Sequence, residues 1–253
     1  MMIKILLSGC CGRMGQAITI AAGLRENIVI SEGFDINPGT ATDYPVFSDI
    51  NECNPRVDAV IDFSHPAAFG SVTAFCLKNR IPLVMATTGL SDDQISELEQ
   101  MSEEIAVFRS SNMSIGVNLL IELSKKAAVF TEGLYDIEIV EKHHRNKIDA
   151  PSGTALSIAD AVNESLESPK TPVYDRTNRR EKRNSSEMGI HAVRGGSIVG
   201  EHSVIFAGND EIIEIRHEAL SRNIFAEGAL EAALYISNFK TGLHSMSDML
   251  DNK

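Results

Sequence analysis

Three glycines at a fixed interval, Gly9, Gly12 and Gly15, follow directly on an apolar segment at residues 3–7 and open an amphipathic stretch over 13–24. Few chain geometries demand this. The first glycine lets a strand turn sharply, the second lets backbone approach a bulky anion, and the third lets a helix pack close against the strand. The helix start then offers free amides and positive potential, which suits a pyrophosphate. The spacing is GxxGxxG, where the commoner dinucleotide fingerprint is GxGxxG, so the run carries little weight without its surroundings. Those surroundings agree: Asp35 closes a second apolar segment twenty residues after Gly15, where a carboxylate can hold ribose hydroxyls. Ile36 follows it, and only Arg13 lies near to meet a 2′-phosphate, so the expected cofactor is NADH in preference to NADPH.

Short apolar runs alternate with longer amphipathic ones through the first half: strands are expected at 3–7, 27–34, 59–63, 83–86 and 105–108. Helices are expected at 13–24, after Pro66 and over 91–104, the last opened by a capping box of Ser91 and Gln94. This is the βαβ rhythm of a parallel sheet with helices on both faces. The pattern changes after Asn112. A long helix (115–130) leads to a strand (136–141), a helix (154–166) and two further strands (203–207, 211–216). Strands meeting strands suggest a mixed or antiparallel sheet with helices on one face. A last helix at 222–239 is apolar enough to pack back on the first domain. The predicted fold class is therefore α/β, a Rossmann-type cofactor domain at 1–113 and 223–253, with an α+β domain at 114–222.

A net charge of -12 argues against nonspecific binding to nucleic acid or an anionic membrane, so any anion site must be local. Cys10, Cys11, Cys53 and Cys76 form no CxxC pair and no histidine stands at ligand spacing, so no disulfide framework and no metal site is expected. No apolar run reaches the roughly 20 residues of a membrane span, and no signal segment is evident, so the cytoplasm is the default location. The basic run at 174–186 reads as a mobile solvated loop, with a lid over an anionic ligand as the alternative.

The chemistry concentrates in residues 141–155, EKHHRNKIDAPSGTA. Histidine titrates near neutrality and can donate a proton as a hydride arrives. His143 and His144 are adjacent at a strand end and point to opposite faces, so one can act as acid while the other binds. Arg145 and Lys147 offer cations to a carboxylate, and Ser152, Gly153 and Thr154 offer amides and hydroxyls at a helix start. Glycine turn and cluster together read as a reductase of an anionic substrate. Two other readings stand beside it: an NAD-dependent oxidoreductase of another small carboxylated substrate such as an imino acid, and a nucleotide sensor without catalysis.

The 141–155 segment resembles the E-x-HH-R-x-KxDAPSGTA motif of the 4-hydroxy-tetrahydrodipicolinate reductase family, and the resemblance spans nearly the whole chain. GCCGRMG is similar to its GxxGRMG, Asp62 to Pro66 to its DF[ST]xP, and Thr87, Thr88 and Gly89 to its GTTG turn. Residues 111–118 resemble its xNFSxGVN crossover, and 193–202 its VRxGDIVGEH segment. The resemblance implies a proton donor at His143 and a second catalytic residue at Lys147. It implies substrate carboxylate binding by His144, Gly153 and Thr154. The cofactor would lie along Gly9, Cys10, Cys11, Gly12, Arg13 and Met14, with Asp35 at the ribose. Ala86, Thr87, Thr88, Ser110, Ser111, Asn112 and Met113 would line its nicotinamide half. The implied reaction is reduction of a cyclic imine dicarboxylate by NADH or NADPH, in lysine and diaminopimelate biosynthesis, by a homotetramer. Ala86, Met113 and Ser197 depart from the family pattern, as does the glycine-poor loop at 176–188, and none of these is a proposed catalytic group.

Overall fold

The computed structural model describes residues 2–39 and 43–252. Two units emerge, one built from the chain up to Ile115 together with its return from Asn223, the other from Gly116 to Arg222.

The first unit alternates β1 (Ile3–Ser8), α1 (Arg13–Gly23), β2 (Ile28–Phe34), β3 (Val46–Phe47), β4 (Ala59–Asp62), α2 (Phe69–Asn79), β5 (Leu83–Met85), α3 (Asp92–Met101) and β6 (Ala106–Arg109). The seven strands, completed by a late β12 (Gly242–His244), are all parallel in the order β12-β6-β5-β4-β1-β2-β3. Strand order reverses between β1 and β4, where open sheets of this kind leave a crevice at their carboxyl ends. Alternate side chains of β1 serve opposite layers, as strand geometry requires. Ile5 and Leu7 pack with α1 on one face, whereas Leu6 packs with α2 and α3 on the other.

The returning helix α6 (Asn223–Ile236) joins the α1 layer. Its buried face is almost all small residues, Ala226, Gly228, Ala229, Ala232 and Ala233, so it can lie very close to its neighbours. A Cβ on Gly228 would fall 1.6 Å from the carbonyl oxygen of Met113. Arg25 secures the same helix through Glu227 (2.5 Å) and Glu231 (2.9 Å). A short α7 (Met246–Asp251) ends the chain, opened by a capping box of Ser245 and Asp248.

The second unit contains α4 (Ile115–Thr131), β7 (Asp136–His143), α5 (Gly153–Ser165), β8 (Thr171–Val173), β9 (Glu187–Arg194), β10 (Gly200–Ala207) and β11 (Ile212–Ala219). Its sheet is mixed, in the order β11-β10-β7-β9-β8. β7 runs parallel to β9 and antiparallel to β10. Burial along β7 alternates strictly, placing Ile137, Ile139, Glu141 and His143 on the covered face. Ile137 and Ile139 meet Ile158 and Val162 of α5 and Leu120 and Ala128 of α4.

The fold class matches the expectation, including the capping box at Ser91. Strands β3, β8, β9 and β12 have no counterpart in the expected elements. β3 and β12 are two- and three-residue edge strands that exist only as partners of β2 and β6. β9 reaches His191 and Val193 without clean alternation, and is defined by its pairing with β7. The basic loop also differs from a freely solvated one. Arg183 donates to Asp136 (2.5 Å), to Glu138 (2.9 Å) and to the carbonyl oxygens of Ile137 and Glu187. Arg176 and Arg179 both pair with Glu187. Carboxylates at the start of β7 and β9 need countercharge, and the loop supplies it.

Gly228→Ala should cost about 1–3 kcal/mol, because overpacking against a backbone carbonyl forces the helix to shift. The measurement is urea unfolding of the purified protein. An unchanged midpoint would mean that α6 is not fixed by this contact.

Candidate active site

The β1–α1 turn of the first unit is shaped by steric exclusion. Gly9 has a φ of +77°, and a Cβ there would sit 2.5 Å from the carbonyl oxygen of Phe63. At Gly15 a Cβ would lie 2.3 Å from the oxygen of Gly9, so the helix can approach the turn only without a side chain. Gly12 precedes α1 and no side chain caps that helix, so its first amides remain available to a ligand. Asp35 stands at the end of β2, where its carboxylate accepts the Cys11 N–H (3.0 Å) and the Asn37 N–H (3.0 Å). A cavity of about 350 Å³ opens here, lined by Gly9, Gly12, Asp35, Ile36 and Phe63 among others. These features fit a dinucleotide: a glycine cradle that any side chain would fill, open helix amides and a carboxylate at the end of β2.

A second cavity of about 280 Å³ in the same unit is lined by Thr87, Thr88, Arg109, Ser110 and Ser111. Fully buried Asp62 ties the strand ends beside it, accepting hydrogen bonds from Ser8 Oγ (2.6 Å) and Thr87 Oγ1 (2.7 Å). Asn112 accepts the Ser114 N–H on its side-chain oxygen and bonds Ser110 through its backbone. The sequence-derived cofactor residues thus gather in two places. Cys10, Ala86 and Met113 are buried, and Cys10 and Met113 turn their side chains into the α1–α6 core, so only their backbones can face a ligand. The fold also brings Cys10, Cys11 and Asp35 together, with donor atoms within 4.8 Å of one another, a grouping that ligand spacing in the sequence does not reveal.

In the second unit the carboxyl end of β7 carries a polar tier. His143 is its last residue, on the buried face, with Nδ1 2.7 Å from the Glu141 carboxylate. Its Nε2 faces Gly200, where a Cβ would come within 3.1 Å. Burial lowers the proton affinity of His143, Glu141 opposes this, and the cations Lys147 and Arg194 add to the lowering, leaving the pKa below the ordinary value. His202 of β10 packs edge-on against the ring with centroids 5.2 Å apart. Burial, then the neighbouring His143, push it down to about 4, so it stays neutral near pH 7. Ser152 caps α5, accepting the Ala155 N–H while its own N–H reaches Glu141.

His144 leaves the sheet with a buried Nδ1 that has no partner among the described residues. Lys147 is only partly exposed and pairs with Asp149 at 2.9 Å. The hydrogen bond from Lys147, followed by the Gly153 N–H among smaller causes, holds the Asp149 carboxyl below its usual range. Lys147 and the start of α5 therefore already accept one carboxylate.

Family models for the N-terminal and C-terminal parts of dihydrodipicolinate reductase match residues 3–113 and 116–250. The chain belongs to the dihydrodipicolinate reductase family. It is 48% identical to the 4-hydroxy-tetrahydrodipicolinate reductase of Caldanaerobacter subterraneus subsp. tengcongensis, with 99% of each chain covered. It is 44% identical to that of Clostridium novyi over 100% of both chains. Its structure superposes with a TM-score of 0.82 on dipicolinate-bound dihydrodipicolinate reductase from Paenisporosarcina sp. TG-14, at 26% identity, covering 97% of this chain and 98% of the other.

Several members of the tier escape sequence reasoning. Glu141 lies two residues before His143 on one strand, so a shared face was legible. Arg194 and His202 arrive from β9 and β10; both lie in the 193–202 segment that resembles the family's VRxGDIVGEH, but no local spacing links them to His143.

Cys11 is the one cysteine of the four that is not buried. Burial first, with nearby acidic groups, pushes the Cys10 and Cys53 thiols up to about 12, and Cys76 is raised likewise. Reaction of the native protein with Ellman's reagent should therefore show one fast thiol per chain, abolished by Cys11→Ser. Fast labelling of a second cysteine would contradict the packing of this turn.

Proposed function

We propose that this chain is a NAD(P)H-dependent 4-hydroxy-tetrahydrodipicolinate reductase, reducing the cyclic imine derived from 4-hydroxy-tetrahydrodipicolinate to tetrahydrodipicolinate in lysine and diaminopimelate biosynthesis. The observation that carries this reading is the polar end of β7, where a buried histidine whose Nε2 has no hydrogen-bond partner among the described residues stands beside a lysine that already holds a carboxylate. Full-length identity to named reductases supports it.

A bound nicotinamide supplies the hydride. Gly9, Gly12 and the first amides of α1 hold the pyrophosphate, and Asp35 holds the adenosine ribose. Cys10, Cys11, Arg13 and Met14 complete the turn, mostly through backbone. Ala86, Thr87, Thr88 and Ser110 to Met113 surround the nicotinamide half. The cofactor domain corresponds to residues 1–113 and 223–253, and 114–222 carries the substrate and the oligomer contacts.

Hydride addition to a conjugated imine leaves an electron-rich enamine carbon that needs a proton. His143 delivers it from Nε2. Lys147 releases Asp149 and stabilises charge on the reacting dicarboxylate, an exchange made easier because Asp149 is exposed and an ion pair open to water contributes little. His144, Gly153 and Thr154 bind a substrate carboxylate, which satisfies the unpaired His144 Nδ1. We place NADH ahead of NADPH, since no Lys or Arg is among the described residues lining the Asp35 cavity and a 2′-phosphate would meet the carboxylate. By analogy with the family we take the working form to be a cytoplasmic homotetramer, a reading that exposed Ile212, Ile213 and Leu220 in the second unit support. No described helix is long and apolar enough to cross a membrane.

The test is oxidation of NADH or NADPH at 340 nm with a synthase generating the substrate in place. Substrate-dependent oxidation is expected, falling about 10²- to 10⁴-fold in His143→Gln and strongly in Lys147→Ala. Cofactor affinity should stay near that of the parent in both. Absence of turnover in a folded protein that binds cofactor would favour another carboxylated imine as substrate. Asp35→Ala should weaken NADH binding more than NADPH binding. An unchanged ratio of the two cofactor efficiencies would remove Asp35 from the preference.

A further inference from the structure

Glu141 is completely buried, and both of its oxygens are fully engaged. Oε1 accepts the Ser152 N–H (3.0 Å) and Arg194 Nη2 (2.7 Å); Oε2 faces His143 Nδ1 (2.7 Å) and accepts from Arg194 Nη1 (2.7 Å). Arg194 is itself fixed by the carbonyl oxygens of Asp149 (2.6 Å) and Val193 (2.8 Å). Burial raises the proton affinity of Glu141, but Arg194, His143 and the Ser152 amide outweigh it, and the net direction is down. The carboxylate is therefore ionised and can only accept. A buried ion pair of this kind adds little net stability over an apolar replacement, so stability alone does not account for it.

We propose that Glu141, clamped by Arg194 and the Ser152 amide, is the positioning residue that fixes His143 as its Nδ1–H tautomer and keeps Nε2 as the proton-donating atom. This rests on the reading of His143 as proton donor. An acceptor-only oxygen against Nδ1 requires the proton to stay there. In the charged ring Nε2–H is then the only mobile proton. It passes to the substrate carbon, whose electron pair forms the new C–H bond, and the N–H electrons return to the ring. The neutral ring that remains keeps Nδ1–H on Glu141, and solvent reprotonates Nε2 without a change of tautomer. Gly200 gives that nitrogen its clearance, since a side chain there would press on it at 3.1 Å.

The charged and titratable groups facing His143 are Glu141 on its own strand, Arg194 from β9, His202 from β10 and Lys147 from the following loop, with His217 of β11 behind His202. His202 is neutral over the working range, so the sign follows from the other three. A proton donor is active below its pKa, and turnover falls as pH rises through it. Glu141 raises the proton affinity of His143, so removing its charge moves the falling limb of the pH profile to lower pH.

The experiment compares the pH dependence of kcat in Glu141→Gln with that of the parent in the coupled 340 nm assay, alongside NADH binding. The expected result is a fall in kcat of at least about 10- to 100-fold, the cost of losing the carboxylate behind a metal-bound histidine. The basic limb should move down by about 1–3 pH units, with NADH affinity unchanged. Glu141→Gln/Arg194→Gln leaves no lone buried charge and should shift the limb the same way by less, which guards against a single variant that does not fold. In the unaltered protein the ¹⁵N shifts of the His143 ring should report a protonated Nδ1 and a bare Nε2 above the titration. A bare Nδ1 there, or lowered turnover with an unmoved limb, overturns the proposal. Full turnover in His143→Gln would instead overturn the proton-donor reading on which it rests.

Discussion

A charge buried in the covered face of a sheet must be neutralised and hydrogen-bonded on every side, and in the second unit that demand falls on Glu141. The alternation of β7 puts it in the row of Ile137 and Ile139, where an apolar residue would ordinarily sit. Meeting the demand fixes three separate elements. Arg194 must come from β9, the Ser152 amide must come from the start of α5, and the ring of His143 must turn its Nδ1 inward. The parallel pairing of β7 with β9, which sets His143 opposite Arg194, is thus tied to the same carboxylate as the acid of the proposed reaction. The same capping residue that starts α5 places Gly153 beside the carboxylate held by Lys147.

In the first unit the governing constraint is space instead of charge. The Gly9 and Gly15 positions meet backbone at distances that no Cβ tolerates, so strand, turn and helix are compressed to the point where amides and Asp35 can converge on a ligand. The same principle recurs at Gly228, where a helix late in the chain closes on the carbonyl of Met113. Its alanines complete the core of a sheet begun more than two hundred residues earlier in the sequence. The two units therefore use opposite means, omission of side chains in one and saturation of a buried ion pair in the other, to hold the groups of the candidate site.

Much of this was legible beforehand because it is local. Period-two and period-3.6 patterns report burial within one element, so the strands of the parallel sheet, the long α4 and the capping box at Ser91 could be read directly. The 141–155 segment could be read because its histidines, lysine and helix cap are consecutive. Edge strands β3 and β12 were missed, since two or three residues have no periodicity and exist only through a partner. Arg183 of the 174–186 loop looked free because its carboxylate partners, Asp136 and Glu138, lie some forty-five residues earlier.

Sequence by itself determined the class of fold, the order of the longer elements of the first unit, the turn that suits a dinucleotide and the histidines, lysine and helix cap gathered along residues 141–155, because each follows from spacing along one segment. Only the tertiary structure decided which of those groups are engaged. It paired Lys147 with Asp149, left His144 Nδ1 without a partner among the described residues, sent the Cys10 and Met113 side chains into the core and enclosed His143 between Glu141 and His202. The reason is physical: proton affinity and hydrogen-bond saturation depend on burial and on charges brought across strands, and those distances are set by sheet register, which no local pattern encodes.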